Sequence, residues 1–167
     1  MQAFEITHQF TYTNFFLKEI ENCDEKNVSG FFFDIRNEGR RQFLDCNIMI
    51  PKPVDETVRL VLDIESTLDE RIYTRLFTVR DKNACAAMHK YIGEFFYALE
   101  RSGGLTPGVC PIRKKRLRIR NHYLDFSKVA LQTFPFGHLR ITTTLRDSEN
   151  NDAVLFCMKL YVENVLN

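Results

Sequence analysis

Five cysteines, Cys23, Cys46, Cys85, Cys110 and Cys157, carry the covalent chemistry this chain favours, and their placement points to cross-links rather than catalysis. Cys85 opens a helical run that extends to Glu100. Cys110, followed by Pro111, stands just past the loop Arg101-Ser-Gly-Gly-Leu-Thr-Pro-Gly-Val109. Two cysteines so placed are suited to staple the helix to the strand that follows. None of the five forms CxxC or a Cys/His spacing that suits zinc, so no metal site is expected. An odd count leaves at least one thiol free or paired with another chain.

Other chemistry finds less support. His8, His89, His122 and His138 are scattered, and there is no HExxH, GxSxG, P-loop or dinucleotide fingerprint. Asp63 and Glu65 share a strand face, but period-two carboxylates on an exposed strand are ordinarily solvated. Asp24-Glu25, Asp55-Glu56 and Asp69-Glu70 read as turns. The chain is therefore expected not to be an enzyme and to need no cofactor. The sequon Asn27-Val28-Ser29 makes Asn27 a glycosylation candidate. Together with the cysteine placement it points to an oxidising compartment.

The run from Arg113 to Arg120 holds six cations in eight positions. On a strand, Lys114, Arg116, Arg118 and Arg120 form one stripe, while Leu117 and Ile119 point the other way. Such a stripe guards a sheet edge against self-pairing, or docks lipid phosphates or an acidic partner. With 23 basic and 22 acidic residues the net charge is +1, so wholesale nucleic-acid binding, which rests on many phosphate contacts, is not expected.

These residues must be positioned by a largely β chain. Leu44, Cys46, Ile48 and Ile50 share one strand face, and Pro51 and Pro53 end the strand. Val58, Leu60, Leu62 and Ile64 repeat the pattern. Ser66 to Glu70 is a turn, and Ile72 to Val79 completes a hairpin. The period then changes: Met88, Ile92, Phe95, Phe96 and Leu99 form one stripe of a helix, with Asn83 as N-cap and Gly103-Gly104 as its stop. Strands resume over Ile112 to Asp125, through Leu139, Ile141, Thr143 and Leu145, and through Val154, Phe156, Met158, Leu160 and Val162. Ala3 to Thr13 and Ser29 to Ile35 also read as strands. Asn14 to Asn22 is ambiguous, because Phe15, Phe16, Leu17 and Ile20 also suit a short helical turn. The pattern predicts a mostly β, single domain over residues 1–167: an antiparallel sandwich or cup of about eight strands flanked by one central α-helix. No apolar run approaches ~18 residues, so no transmembrane helix is expected. Met1 to Phe10 does not read as a signal peptide, so a secreted protein would be in its mature form.

Cys85, the helix with Phe95-Phe96-Tyr97, Cys110-Pro111, the basic strand ending at Asn121, Phe134-Pro135-x-Gly137-x-x-Arg140 and the closing apolar strand together resemble a family of insect secreted proteins. It includes the CheB-type chemosensory proteins. They are similar to the ganglioside activator protein and, more distantly, to ML lipid-recognition domains. The resemblance covers roughly Phe43 to Val162. The chain departs from it in having Asp81-Lys-Asn-Ala84 before Cys85 and Ile112-Arg-Lys-Lys115 after Cys110-Pro111, where the family has Tyr-x-x-Gly.

The resemblance implies a β-cup with a lipid-binding cavity, a helix at its mouth and a secreted, often chemosensory, role. It also implies a Cys85–Cys110 disulfide, whose closed loop would stabilise the fold by roughly 3 kcal/mol. Of the remaining thiols, Cys46 lies on an apolar strand face and suits an inert core position. Cys157 faces away from Phe156 and Met158, and is expected to pair with Cys23. Phe95, Phe96, Leu99, Phe134 and Phe136 are expected to line or gate the opening. On this reading the protein is a secreted carrier or co-receptor for a lipid or other hydrophobic small molecule, with a membrane surface or receptor as a further partner. The alternative is an extracellular protein- or glycan-interaction module with a self-filled core and the basic stripe as its docking surface.

Overall fold

The computed structural model describes residues 13–132 and 134–165. The strand expected over Ala3 to Thr13 lies, but for Thr13, outside them, as does His8. Within the described residues eight strands form two antiparallel sheets. The larger sheet has the order β1-β8-β7-β4-β5, from β1 (Phe15–Asn22), β8 (Ala153–Asn164), β7 (Gly137–Asp147), β4 (Val58–Thr67) and β5 (Thr74–Asp81). The smaller has the order β2-β3-β6, from β2 (Phe32–Glu38), β3 (Arg41–Ile50) and β6 (Lys115–Tyr123). Val58, Leu60, Leu62 and Ile64 are all buried, as their alternation requires, and along the β4–β7 register Leu60 lies opposite Leu145 and Ile64 opposite Ile141.

The helical turn that Phe15, Leu17 and Ile20 could suit is a strand instead. A bulge between Leu17 and Glu19 inserts Lys18 into the β1–β8 ladder. The extra residue lets Leu17 and Ile20 bury on the same side although they stand three apart, which mimics helical spacing. A second bulge, between Leu145 and Arg146 opposite β8, brings Leu155 to the interior beside Phe156.

The expected single helix is two: α1 (Ala84–Ile92) and α2 (Glu94–Ser102). Asn83 caps α1, its side chain accepting from the Ala86 N–H at 3.1 Å. The break is at Gly93, whose φ of 67° carries the chain out of the helix. There the segment after the 3-10 turn Phe126–Lys128 crosses the helix end. Ala130 N–H donates to Ile92 O at 3.1 Å and Leu131 N–H to Tyr91 O at 2.8 Å. These bonds satisfy carbonyls that a helix end leaves open. A Cβ on residue 93 would stand 2.8 Å from the Ala130 Cβ, so the crossing requires glycine.

Candidate functional site

Between the sheets and under the helices lies a cavity of about 320 Å³. Leu44 and Ile48 of β3, Leu62 of β4, and Met158 and Leu160 of β8 are among the side chains that make its wall almost entirely carbon. Polar residues reach it at few points. Lys52 is one, and its ammonium is already engaged, donating to Thr57 Oγ1 at 2.9 Å and Asp147 Oδ1 at 3.2 Å. Inner-face residues such as Ile48, Phe156 and Leu160 are only half-buried because they border this space rather than one another. The volume falls at the low end of the roughly 300–1,000 Å³ of small-molecule pockets.

The helices supply one side of the wall. Met88, Ile92, Phe95, Phe96 and Leu99 all reach the cavity, so the apolar stripe runs unbroken across the Gly93 break. Phe95 stacks on Phe126 with centroids 5.0 Å apart. Phe126 meets Phe15 at 5.5 Å, Phe15 meets Phe134 at 5.1 Å, and Phe134 meets Phe77 at 6.2 Å. Phe95, Phe126, Phe15 and Phe134 form a continuous aromatic end wall, and Phe77 packs on Phe134 from outside the cavity. Asn164 holds Phe134 in place: wholly buried, its Nδ2 donates to the carbonyls of Phe134 and Pro135 at 3.3 and 3.1 Å. Of the five residues expected to line the opening, Phe95, Phe96, Leu99 and Phe134 share the cavity wall. Phe136 does not: it is half-buried and outside it. Phe136 stands two residues past Phe134, but the chain bends before β7 begins at Gly137, whose φ is 107°. Strand alternation therefore does not carry across.

Two disulfides join Cys85 to Cys110 and Cys23 to Cys157. The first ties α1 to the loop that enters β6. The second ties the end of β1 to the outer face of β8. Cys46 is the free thiol among the described residues. Burial pushes its pKa up to about 11, against a smaller opposing pull from the Arg120 charge.

Beside the first disulfide stands a pair that spacing did not single out. His89 is 9% exposed and Glu100 3% exposed, and His89 Nε2 lies 2.8 Å from Glu100 Oε1. Glu100 Oε1 also accepts from the Gly108 N–H at 3.1 Å. His89 Nδ1 lies 3.6 Å from Cys85 Sγ and 3.4 Å from Cys110 Sγ. The one signal in the sequence is that His89 follows Cys85 by a helical turn, on the apolar face with Met88 and Ile92.

Among the described residues the basic stripe lies on an edge strand, since β6 there pairs with β3 alone. Leu117 and Ile119 point inward and are buried, while Arg116, Arg118 and Arg120 are exposed, with Lys114 exposed just ahead of the strand. Arg120 is spent on β3, donating to Cys46 O at 3.2 Å and Asn47 Oδ1 at 2.8 Å. Lys114, Arg116 and Arg118 have no acidic partner among the described residues. Asn27 is exposed in a turn, its Oδ1 accepting from Asn22 Nδ2 at 2.7 Å and from Phe31 N–H at 3.1 Å.

No family model matches the chain, and no curated protein matches it. Among solved structures twelve chains match. One is chicken MD-1 complexed with lipid IVa, at 13% sequence identity and a TM-score of 0.47, with 92% of this chain and 98% of that chain covered.

Proposed function

We propose that this protein is a non-catalytic carrier that takes the apolar part of a lipid or similar small molecule between its two sheets and shields it from water. The observation that carries the reading is the carbon-walled cavity of about 320 Å³. At the cost per volume measured for engineered cavities, leaving such a space empty is worth on the order of 5–8 kcal/mol. That rivals the roughly 5–15 kcal/mol by which whole domains are stable. An apolar tail removes the void and gains about 0.8 kcal/mol for each CH₂ taken from water. The nearly uniform carbon wall favours tails over polar ligands, and a head group would stay at the rim, in water. The same void weighs against the alternative of an interaction module with a self-filled core.

Two intrachain disulfides support a secreted, extracellular protein, on which the exposed Asn27 is a site for a glycan. The motif resemblance to insect chemosensory proteins supports a pheromone-like or cuticular ligand. Lys114, Arg116 and Arg118, exposed and without acidic partners, suit docking to an anionic membrane surface or an acidic receptor.

The test is titration of the oxidised protein with a fluorescent long-chain acyl probe. Saturable, micromolar binding displaced by long-chain apolar competitors is expected. Leu160→Trp, which fills the cavity from β8, is expected to weaken binding at least about tenfold, or by 1.4 kcal/mol, while raising the thermal midpoint. Absence of binding by the correctly cross-linked wild-type protein sinks the reading.

A further inference from the structure

We propose that the Cys85–Cys110 disulfide is a thiol-exchange site: a low-molecular-weight thiol attacks Cys110, and the Cys85 thiolate leaves into a seat prepared by His89 and Glu100. The two sulfurs are unlike in access. Cys85 is fully buried, whereas Cys110 is exposed in the loop before β6. An incoming thiolate therefore meets Cys110, which makes Cys85 the leaving group.

The surroundings of Cys85 suit that role. It is the second residue of α1, where the unpaired N–H groups of a helix start favour negative charge and thiolates. His89, one turn on, presents Nδ1 to both sulfurs. Its other nitrogen bonds to Glu100, and such a carboxylate fixes the ring's orientation. Glu100 is held in turn by the Gly108 N–H, from the very loop that carries Cys110. A disulfide that served only as a staple makes no demand for a buried carboxylate and imidazole, which are costly to take from water. The Cys23–Cys157 bridge has no such neighbours among the described residues; the Cys157 sulfur has Thr144 Oγ1 beside it at 3.8 Å.

In the step, the thiolate RS⁻ forms an S–S bond with Cys110 Sγ as the Cys85–Cys110 bond breaks. The bonding pair leaves on Cys85 Sγ, which His89 Nδ1 faces at 3.6 Å. A second RS⁻ cleaves the mixed disulfide, releasing RSSR and the Cys110 thiolate, so two thiols deliver two electrons to the protein. Once the bond is open, the loop carrying Leu105 and Ile112, both in the cavity wall, is no longer tied covalently to α1. That last consequence rests on the carrier reading; the exchange chemistry does not.

The test uses the folded, oxidised protein with reduced glutathione, quenched by alkylation and read by peptide mass mapping. Cys85–Cys110 is expected to open at least about tenfold faster than Cys23–Cys157 in the same molecule, with glutathione trapped on Cys110. His89→Gln is expected to slow that opening about tenfold and leave the Cys23–Cys157 rate unchanged. Equal rates for the two bridges, glutathione on Cys85, or an unchanged rate in His89→Gln would overturn the proposal. Should that variant fail to fold, the wild-type rate ratio and the attacked sulfur decide it alone. Neither readout depends on acyl-probe binding, so this proposal and the carrier reading can fail separately.

Discussion

Gln42 bonds to Leu17 twice across the gap between the two sheets. Its Oε1 accepts from the Leu17 N–H at 2.9 Å and its Nε2 donates to the Leu17 carbonyl at 2.7 Å. Gln42 belongs to β3, the middle strand of the smaller sheet, and Leu17 to β1 of the larger, so a single side-chain amide links the two sheets. It also sits at the bulge, where the strand's own pairing is interrupted.

Gln42→Leu leaves both Leu17 backbone groups buried and unpaired. The expected loss is about 2–4 kcal/mol, seen as a lower urea midpoint with an unchanged slope. A midpoint equal to that of the wild type would mean the strap contributes nothing to stability.

Gly93→Ala forces a side chain onto a φ of 67° and against Ala130 at 2.8 Å. A cost of about 1–3 kcal/mol is expected for the backbone alone, and calorimetry should show the thermal midpoint down by several degrees. A midpoint within about a degree of the wild type would show that the helix junction has room to spare.

Cys46, its pKa pushed up to about 11 by burial, stays a thiol at neutral pH, and the thiolate is the nucleophile. In the native oxidised protein iodoacetamide at pH 8 should leave it unlabelled, and denaturant should expose it fully. Labelling at the rate of a free cysteine would mean that β3 and β6 separate in solution.

Asp69 holds the tip of the β4–β5 hairpin, accepting from the N–H groups of Ile72 at 3.0 Å and Arg71 at 2.9 Å and from the Thr67 hydroxyl at 3.1 Å. The two backbone bonds, followed by the hydroxyl, keep its pKa below the ordinary value. A carboxyl whose pKa falls on folding stabilises the tip above its unfolded pKa, near 4, and loses that contribution as the pH drops through the lower folded value. Amide exchange at Arg71 and Ile72 should therefore accelerate below about pH 4 in the wild type but not in Asp69→Asn, which keeps the acceptor without the titration. An identical pH response in the two proteins would assign the change to another group.

What the sequence disclosed followed from local periodicity. The inward faces of β4, β7 and β8 and the helical stripe from Met88 to Leu99 were legible because each residue's side is set by its immediate neighbours. β1 was ambiguous because one inserted residue, Lys18, turns a period of two into a spacing of three. The helix break was hidden because its cause, Ala130, lies far along the chain from Gly93. Phe136 stands only two residues past Phe134, but the bend before Gly137 leaves it outside the wall that Phe134 joins. The spacing of His89 and Glu100 carries no signal, because two residues eleven apart meet only when α1 and α2 fold back at Gly93. The cavity had no local signature at all: it is the space left over when many apolar side chains fail to meet, and no single residue reports it.

The two disulfides are nested, the Cys85–Cys110 loop lying wholly within the segment that Cys23 and Cys157 close. The segment between the outer pair is thus one covalent ring with a smaller ring inside it. A protease that cuts the backbone once anywhere between Cys23 and Cys157 yields a nicked protein that migrates as a single species without reductant. Only after reduction do the pieces part, so the chain can lose backbone continuity at an exposed loop and still hold its sheets in register.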